Sequence, residues 1–512
     1  MSIIKQLFAL FLGALLVQPL SANIQSGMQW DVRTTGADTN GGGFDPTVTS
    51  PGTDYSQQAS AQVAFTDLII GSTTTQLTSV LHAFGATSPG NVINITGGSG
   101  CTTGWFEILS VSGSTATMDR AVGTAASVCT GNLGGSFATP AQGITQATAS
   151  TVALGTIFLG NTVNVKAGTY TQAALTTIDN SYVALVTVLG YSATHGDGGT
   201  KPLITESAGN NLFNTGFCGT TPCRIVVNNV SMSTTAGSPG DGFLAFRNNG
   251  PSYLDLVISN SKMDGFRIAV NGDYTGYLYN WSALYLLNTE IVNTTTYCAS
   301  NGRPGPQGVT YVVNSYLHNS TGTSDCLVTA GVELFVINSV IAANGGSAIT
   351  PHTYPAALVY VINSDLSLNG GSGLTGENLQ ILQNSIMYGN GAYGINAAAV
   401  YPTAINQTNA YGANTSGDRN NLAVGAGDVS LSANPFTSSS NFALNATAGG
   451  GAALKAHGAP GMIAAGTGYL DIGALQSQCT GGGGGSPTAC SFSSLLPPAG
   501  SLLSSPFFSN DH

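Results

Sequence analysis

The stretch LFVINSVIAANGGSAIT, Leu334 to Thr350, returns 25 residues later as VYVINSDLSLNGGSGLT, Val359 to Thr375. A phrase repeating at this period constrains the fold more than any other feature of the chain. Aligned on the asparagine of its opening, it recurs in VVNNVSM, VISNSKM, YLLNTEI, YVVNSYL, FVINSVI, YVINSDL and ILQNSIM. The anchors are Asn228, Asn260, Asn288, Asn314, Asn338, Asn363 and Asn384, with gaps of 32, 28, 26, 24, 25 and 21 residues. A unit this short cannot bury its own apolar face, so the units must stack. Because the gaps vary, loops of different length must leave a stack whose strands stay in register.

The units lack apolar residues at helical spacing, and Gly and Asn interrupt them, which argues against a helical solenoid. Strands of three to five residues between Asn/Gly turns predict an all-β chain: a parallel β-helix, each coil about 4.8 Å above the last. Asn suits such a bend, because it tolerates the left-handed region and its amide can bond to the Asn above and below. A second column falls at Asn344, Asn369 and Asn390.

These phrases resemble the right-handed parallel β-helix (pectate lyase-like) superfamily, which includes pectate lyases, polygalacturonases and phage tailspikes. NGGSGL is similar to the family's coil signature. GNTVNVKAGTYT (Gly160 to Thr171) and VLGYSATHGDGGTKPLIT resemble early coils, and YLDIGALQ (Tyr469 to Gln476) a terminal coil. The resemblance covers residues 150–478 and implies a right-handed solenoid. It does not carry function, since the fold hosts lyases, hydrolases, adhesins and inert shafts.

Residues 23–140 lack the repeat and predict a smaller, hairpin-rich β module. Asp38 opens DTNGGG, which hints at a calcium loop but lacks its fifth-position ligand and closing Glu; a glycine turn is the plainer reading. Residues 1–22 carry Lys5, the apolar run Leu7 to Val17 and Ser21-Ala22, the pattern of a signal peptide, with a membrane anchor as the alternative. Residues 479–512 form a Gly-rich linker and tail, docked on the coil end or disordered. Eight cysteines fit an oxidising, extracellular setting, secreted or at the cell surface. Neighbour pairing would give Cys101/Cys129, Cys218/Cys223, Cys298/Cys326 and Cys479/Cys490. In a β-helix, Cys298 and Cys326 should share an angular position on adjacent coils.

Lys+Arg number 12 against 23 Asp+Glu, with no basic run to neutralise phosphates, so nucleic acid is not an expected partner. A polysaccharide or cell-surface glycan is, and a homotrimer is open. The resemblance implies what an enzyme would need: acidic calcium ligands and a base for a lyase, or paired carboxylates for a hydrolase. No cofactor is expected, calcium only if the chain is a lyase. The polygalacturonase pattern Asn-Thr-Asp, Asp-Asp, His-Gly and Arg-Ile-Lys is absent. Arg303 begins RPGP, which resembles part of the lyase Arg-x-Pro-x-x-Arg without its second Arg.

Two residues after each anchor runs the column Val230, Lys262, Glu290, Tyr316, Val340, Asp365 and Ile386. Lys262, Glu290 and Tyr316 are the catalytic candidates; a solvated cross-strand ion pair is the plainer reading. Asp264 with Arg267, and Asp325, are weaker candidates whose plainer reading is turn capping.

Two residues before each anchor the chain is uniformly aliphatic. Three before it come Ile225, Val257, Tyr285, Tyr311, Phe335, Tyr360 and Ile381, aromatic over the four middle coils. Strand alternation puts these columns on opposite faces, the aliphatic one inside. The aromatic column is then a candidate substrate-binding stripe, an oligomer surface or a face covered by a loop; with the register inverted it is core. The leading reading is a non-catalytic glycan-binding or adhesion protein. The alternatives are a carbohydrate-active enzyme, lyase or glycosidase, and a tailspike-like shaft.

Overall fold

In the computed structural model the described residues are 27–148, 161–178, 185–215, 223–245, 254–272, 283–301, 308–329, 333–351, 358–376, 378–398, 404–458 and 471–475. The chain divides into two compact units, Met1–Thr162 and Val163–His512.

In the first unit, six antiparallel strands close a barrel in the order Val63–Ile70, Gln76–Thr78, Thr115–Met118, Gly104–Ser112, Val92–Gly97, Val128–Leu133. Alternation drives Phe65, Leu68, Ile93, Ile95, Phe106 and Ile108 into its core. Cys101 and Cys129 form a disulfide, with Cα atoms 5.9 Å apart. The unit also holds a helix that the sequence reading did not expect, Pro140–Thr148, beginning with proline. The Thr139 hydroxyl accepts from the Gln142 N–H at 3.2 Å, and Asp38 accepts from the Ala138 and Thr139 N–H groups at 2.9 and 3.0 Å. Asp38 therefore orders the approach to this helix.

The second unit is a right-handed parallel β-helix. Each coil gives one strand to each of three sheets. One such coil is Glu333–Ile337 in the first sheet, Val340–Ala342 in the second and Ile349–Pro351 in the third; Leu358–Ile362 then begins the next. Successive coils pair in register, as in Tyr311↔Phe335↔Tyr360. The first bend is Asn-Ser or Asn-Thr. Asn260, Asn288, Asn314, Asn338, Asn363 and Asn384 hold φ between 48° and 55°. Their amides form a broken ladder, with Asn338 Nδ2 donating to Asn314 Oδ1 at 2.6 Å and Asn384 Nδ2 to Asn363 Oδ1 at 2.8 Å.

The serines that follow form a second ladder, which the sequence reading missed. The N–H groups of Ser315, Ser339 and Ser364 donate to the hydroxyls of Ser339, Ser364 and Ser385 at 3.1 to 3.3 Å. Each of these hydroxyls also donates to the carbonyl two residues back, so the bend's backbone groups are satisfied inside the wall. The second Asn column is a third, buried ladder: Asn344 Nδ2 to Asn369 Oδ1, Asn369 to Asn390 and Asn390 to Asn414, at 3.0 to 3.2 Å.

The aliphatic column faces inward as expected: Ile258, Leu286, Val312, Val336, Val361 and Leu382 are 0% exposed. Cys298 and Cys326 are disulfide-bonded on adjacent coils, Cα atoms 4.6 Å apart. The leader and tail segments, Cys218, Cys479, Cys490, the Cys223 side chain and Arg303 lie outside the described residues.

Two expectations need correction. The left-handed residue of the first coil is Asn229 (φ 59°), not Asn228, so Ser231, not Val230, pairs with Lys262. Either member of the doublet Asn228-Asn229 could take the bend, and pairing of Asn228 with Ser259 on the next coil decides between them. The segment Asp471–Leu475 within YLDIGALQ is not a coil strand. It lies on the outside of the second sheet, where the Gly473 N–H donates to the Asn384 carbonyl at 2.9 Å. There it joins a C-terminal cover that also includes the hairpin Phe436–Ser438 and Asn441–Leu444. Phe436, Phe442, Leu454, Ile472 and Ala474 bury Val340, Ala342, Ile386 and Ala410 of the sheet. An apolar outer face of a solenoid needs such a partner, because otherwise it stays wet.

Candidate functional site

Lys262, Glu290 and Tyr316 are consecutive register partners on the outer face of the second sheet. They occupy the stretch just before the cover begins, and Tyr316 meets the edge of Phe442 in the cover, ring centroids 5.9 Å apart.

Glu290 is the hub. Its Oε1 accepts from Lys262 Nζ at 3.2 Å and lies 3.2 Å from His318 Nε2. His318 stands two residues beyond Tyr316 on the same strand face, and the two rings stack at 3.7 Å. The period-2 rule applied to Tyr316 would have found it. The bond to His318, then that to Lys262, holds the Glu290 carboxyl below its ordinary range against the opposing effect of burial. At neutral pH Glu290 is an ionised, half-exposed carboxylate, suited to accept a proton and not to donate one. Burial, with Glu290 adding to it, pushes the Tyr316 phenol up to about 12, so it remains a donor.

Lys262 also reaches Asp264 Oδ2 at 3.7 Å. The Asp264 and Glu290 oxygens are thus no farther apart than the sum of their two distances to that ammonium. Carboxylate pairs in glycosidases lie about 5 to 9.5 Å apart. Lys201 feels both Glu290 and Lys262. Burial, chiefly, lowers its pKa; Lys262 does the same and Glu290 opposes. Asp264 does not pair with Arg267, which instead donates to Asp241 at 2.7 Å. Asp325 accepts from the Ser347 N–H at 2.7 Å, a turn-capping role. Asp365 stands three coils beyond Glu290, about 14 Å by strand spacing, too far to act as its acid partner. Among the described residues no group of three or more His, Cys, Asp or Glu side chains could hold a metal ion.

The aromatic column is outward-facing and half-buried, as its register requires. Tyr285, Tyr311, Phe335 and Tyr360 stack face to face, with centroids 5.0, 4.9 and 4.5 Å apart and planes within 7°. Each inner ring therefore gives both its faces to its neighbours. A sugar laid along this ladder would meet ring edges and hydroxyls, and it could stack on a ring face only at an end.

No family model and no curated protein matches the chain. Among solved structures it is similar to the ORF18 protein of Geobacillus virus E2, at 13% identity over 53% of this chain, with a TM-score of 0.25. That match spans 52% of the viral chain's length. It is also similar to the catalytic domain of Agl-KA, at 11% identity over 66% of this chain and 80% of that one, TM-score 0.27. A third similar structure is the catalytic domain of a GH87 alpha-1,3-glucanase in complex with nigerose, at 10% identity over 81% of this chain and 87% of that one, TM-score 0.26. Similarity at this level says nothing about activity.

Proposed function

We propose that the chain is a carbohydrate-active enzyme of the pectate lyase-like β-helix class, acting on a polysaccharide along the open stretch of its second sheet. The observation that carries this reading is the convergence of Lys262 and His318 on the ionised, half-exposed Glu290, beside the Tyr316–His318 stack. In this reading Glu290 takes the proton, from water in a hydrolysis or from the sugar carbon in an elimination, and the Tyr316 phenol gives one to the glycosidic oxygen as its bond to carbon breaks. Lys262 and Lys201 supply positive charge for the oxyanion or acid group, and the Tyr316–His318 stack supports a sugar ring. The two disulfides among the described residues support an extracellular setting.

A second reading, glycan binding without turnover, draws on the outward aromatic ladder, with Tyr285, Tyr311, Phe335 and Tyr360 as contacts. The test of both is incubation of the full chain with uronic and neutral polysaccharides, with and without calcium. New reducing ends or unsaturated products that disappear with Glu290→Gln support the enzyme. Retardation in polymer gels without turnover, lost with Tyr360→Ala at the ladder's end, supports binding and rejects the enzyme.

A further inference from the structure

Where the cover meets the second sheet, a carboxyl is sealed in. Asp365 is 1% exposed and stands in register between Val340 and Ile386. Its Oδ1 accepts from the Ala474 N–H of the cover at 3.1 Å, and its Oδ2 is buried with no hydrogen-bond partner. Gly473 packs so closely that an added Cβ would lie 2.6 Å from Asp365 Oδ1 and 2.6 Å from Ile386 Cδ1. Other outward positions of this column carry a solvated or paired group, such as Lys262 and Glu290, or a plain apolar one.

The titratable groups on the packed elements are Tyr316, His318 and Tyr388 on the sheet, and Lys455, His457 and Asp471 on the cover. Asp471 itself caps the Ala456 N–H at 2.8 Å. Burial raises the Asp365 carboxyl to about 8, opposed by the Ala474 amide and by no charged side chain. An ionised carboxylate in this seam would be unpaired and dry, which is strongly unfavourable.

We propose that Asp365 is a proton-controlled latch: protonated, it lets the C-terminal cover close on the second sheet, and ionised, it favours release of the cover. Release would bare Val340, Ile386 and Ala410, the direct continuation of the Lys262–Glu290–Tyr316 column. The cover would thus set the length of the open surface. The latch does not depend on what that surface binds; only its use rests on the proposed function.

The sign follows from linkage. The closed state holds the proton more tightly than the open one, so closure is fully favoured below the ordinary carboxylate range. It weakens about tenfold per pH unit from there up to about 8, and then levels off. The test is hydrogen exchange by mass spectrometry on the full chain across that span, comparing the parent with Asp365→Asn at each pH so that intrinsic exchange cancels. The expected result is that peptides spanning Asn441–Leu444 and Asp471–Leu475 lose protection with rising pH in the parent and keep it in the variant. Equal profiles in parent and variant overturn the latch. Should Asp365→Asn not accumulate as folded protein, Gly473→Ala is the second probe. Its Cβ should wedge the seam, giving an open cover even at about pH 5, where the parent is closed; a closed Gly473→Ala cover with a flat parent profile also overturns it.

Discussion

Asn338 gives a direct test of why the repeat carries asparagine. The residue sits at φ 50° in the first bend, 7% exposed, with its amide donating to Asn314 Oδ1 at 2.6 Å. Alanine there must hold a left-handed backbone, at about 1 to 2 kcal/mol, and also loses a hydrogen bond of about 1 kcal/mol. Asn338→Ala should therefore destabilise by about 2 to 3 kcal/mol. Glycine adopts the same backbone freely. Asn338→Gly should lose the same bond and about 0.5 kcal/mol of chain entropy, about 1.5 kcal/mol in all. Urea unfolding followed by far-UV circular dichroism reads both as shifts in midpoint at unchanged slope. If glycine is as damaging as alanine, the backbone argument fails and the asparagine is there for its amide alone.

In the aromatic ladder, Tyr311→Ala removes two stacking contacts and Tyr360→Ala one, so the first should cost more, by about 0.5 to 1.5 kcal/mol, in the same unfolding assay. Equal costs would mean that the rings do not act as a stack. Cys298→Ser with Cys326→Ser opens a loop of 28 residues and should cost about 3 kcal/mol, read as a lower calorimetric midpoint. Because the Glu290 carboxyl is lowered in the folded chain, its bonds stabilise above the ordinary carboxylate range and that contribution is lost as pH falls through its folded value. Both side chains of the Lys262–Glu290 pair are more than a third exposed, so Glu290→Gln should cost less than about 1 kcal/mol of stability near neutrality. Under the proposed function it should still abolish turnover; loss of turnover together with a large loss of stability would make its role structural.

The repeat makes much of the second unit legible in the sequence. Periodic asparagines placed the bends, the aliphatic positions placed the interior, and the spacing of Cys298 and Cys326 placed a disulfide, because each coil's neighbours are the coils next to it in the chain. The adjacency of Lys262, Glu290 and Tyr316 follows from the same rule. His318 was also within reach, two residues along the strand from Tyr316. The doublet Asn228-Asn229 marks where counting fails, since only pairing to the next coil chooses between two equivalent residues.

What the tertiary structure alone decided lies outside the repeat. Ala474 meets Asp365 across 109 residues of sequence. No period announces that contact, because the cover docks by complementing an apolar face rather than by continuing a ladder. The fate of the aromatic rings was settled in the same way. Sequence placed them in one column, outward or, with the register inverted, in the core, and only the geometry showed that they face out with their rings turned to one another. Short-range pairing is written into a repeating sequence, whereas the docking of a non-repeating segment, and the tilt of a side chain, depend on surfaces that exist only once the coils have formed.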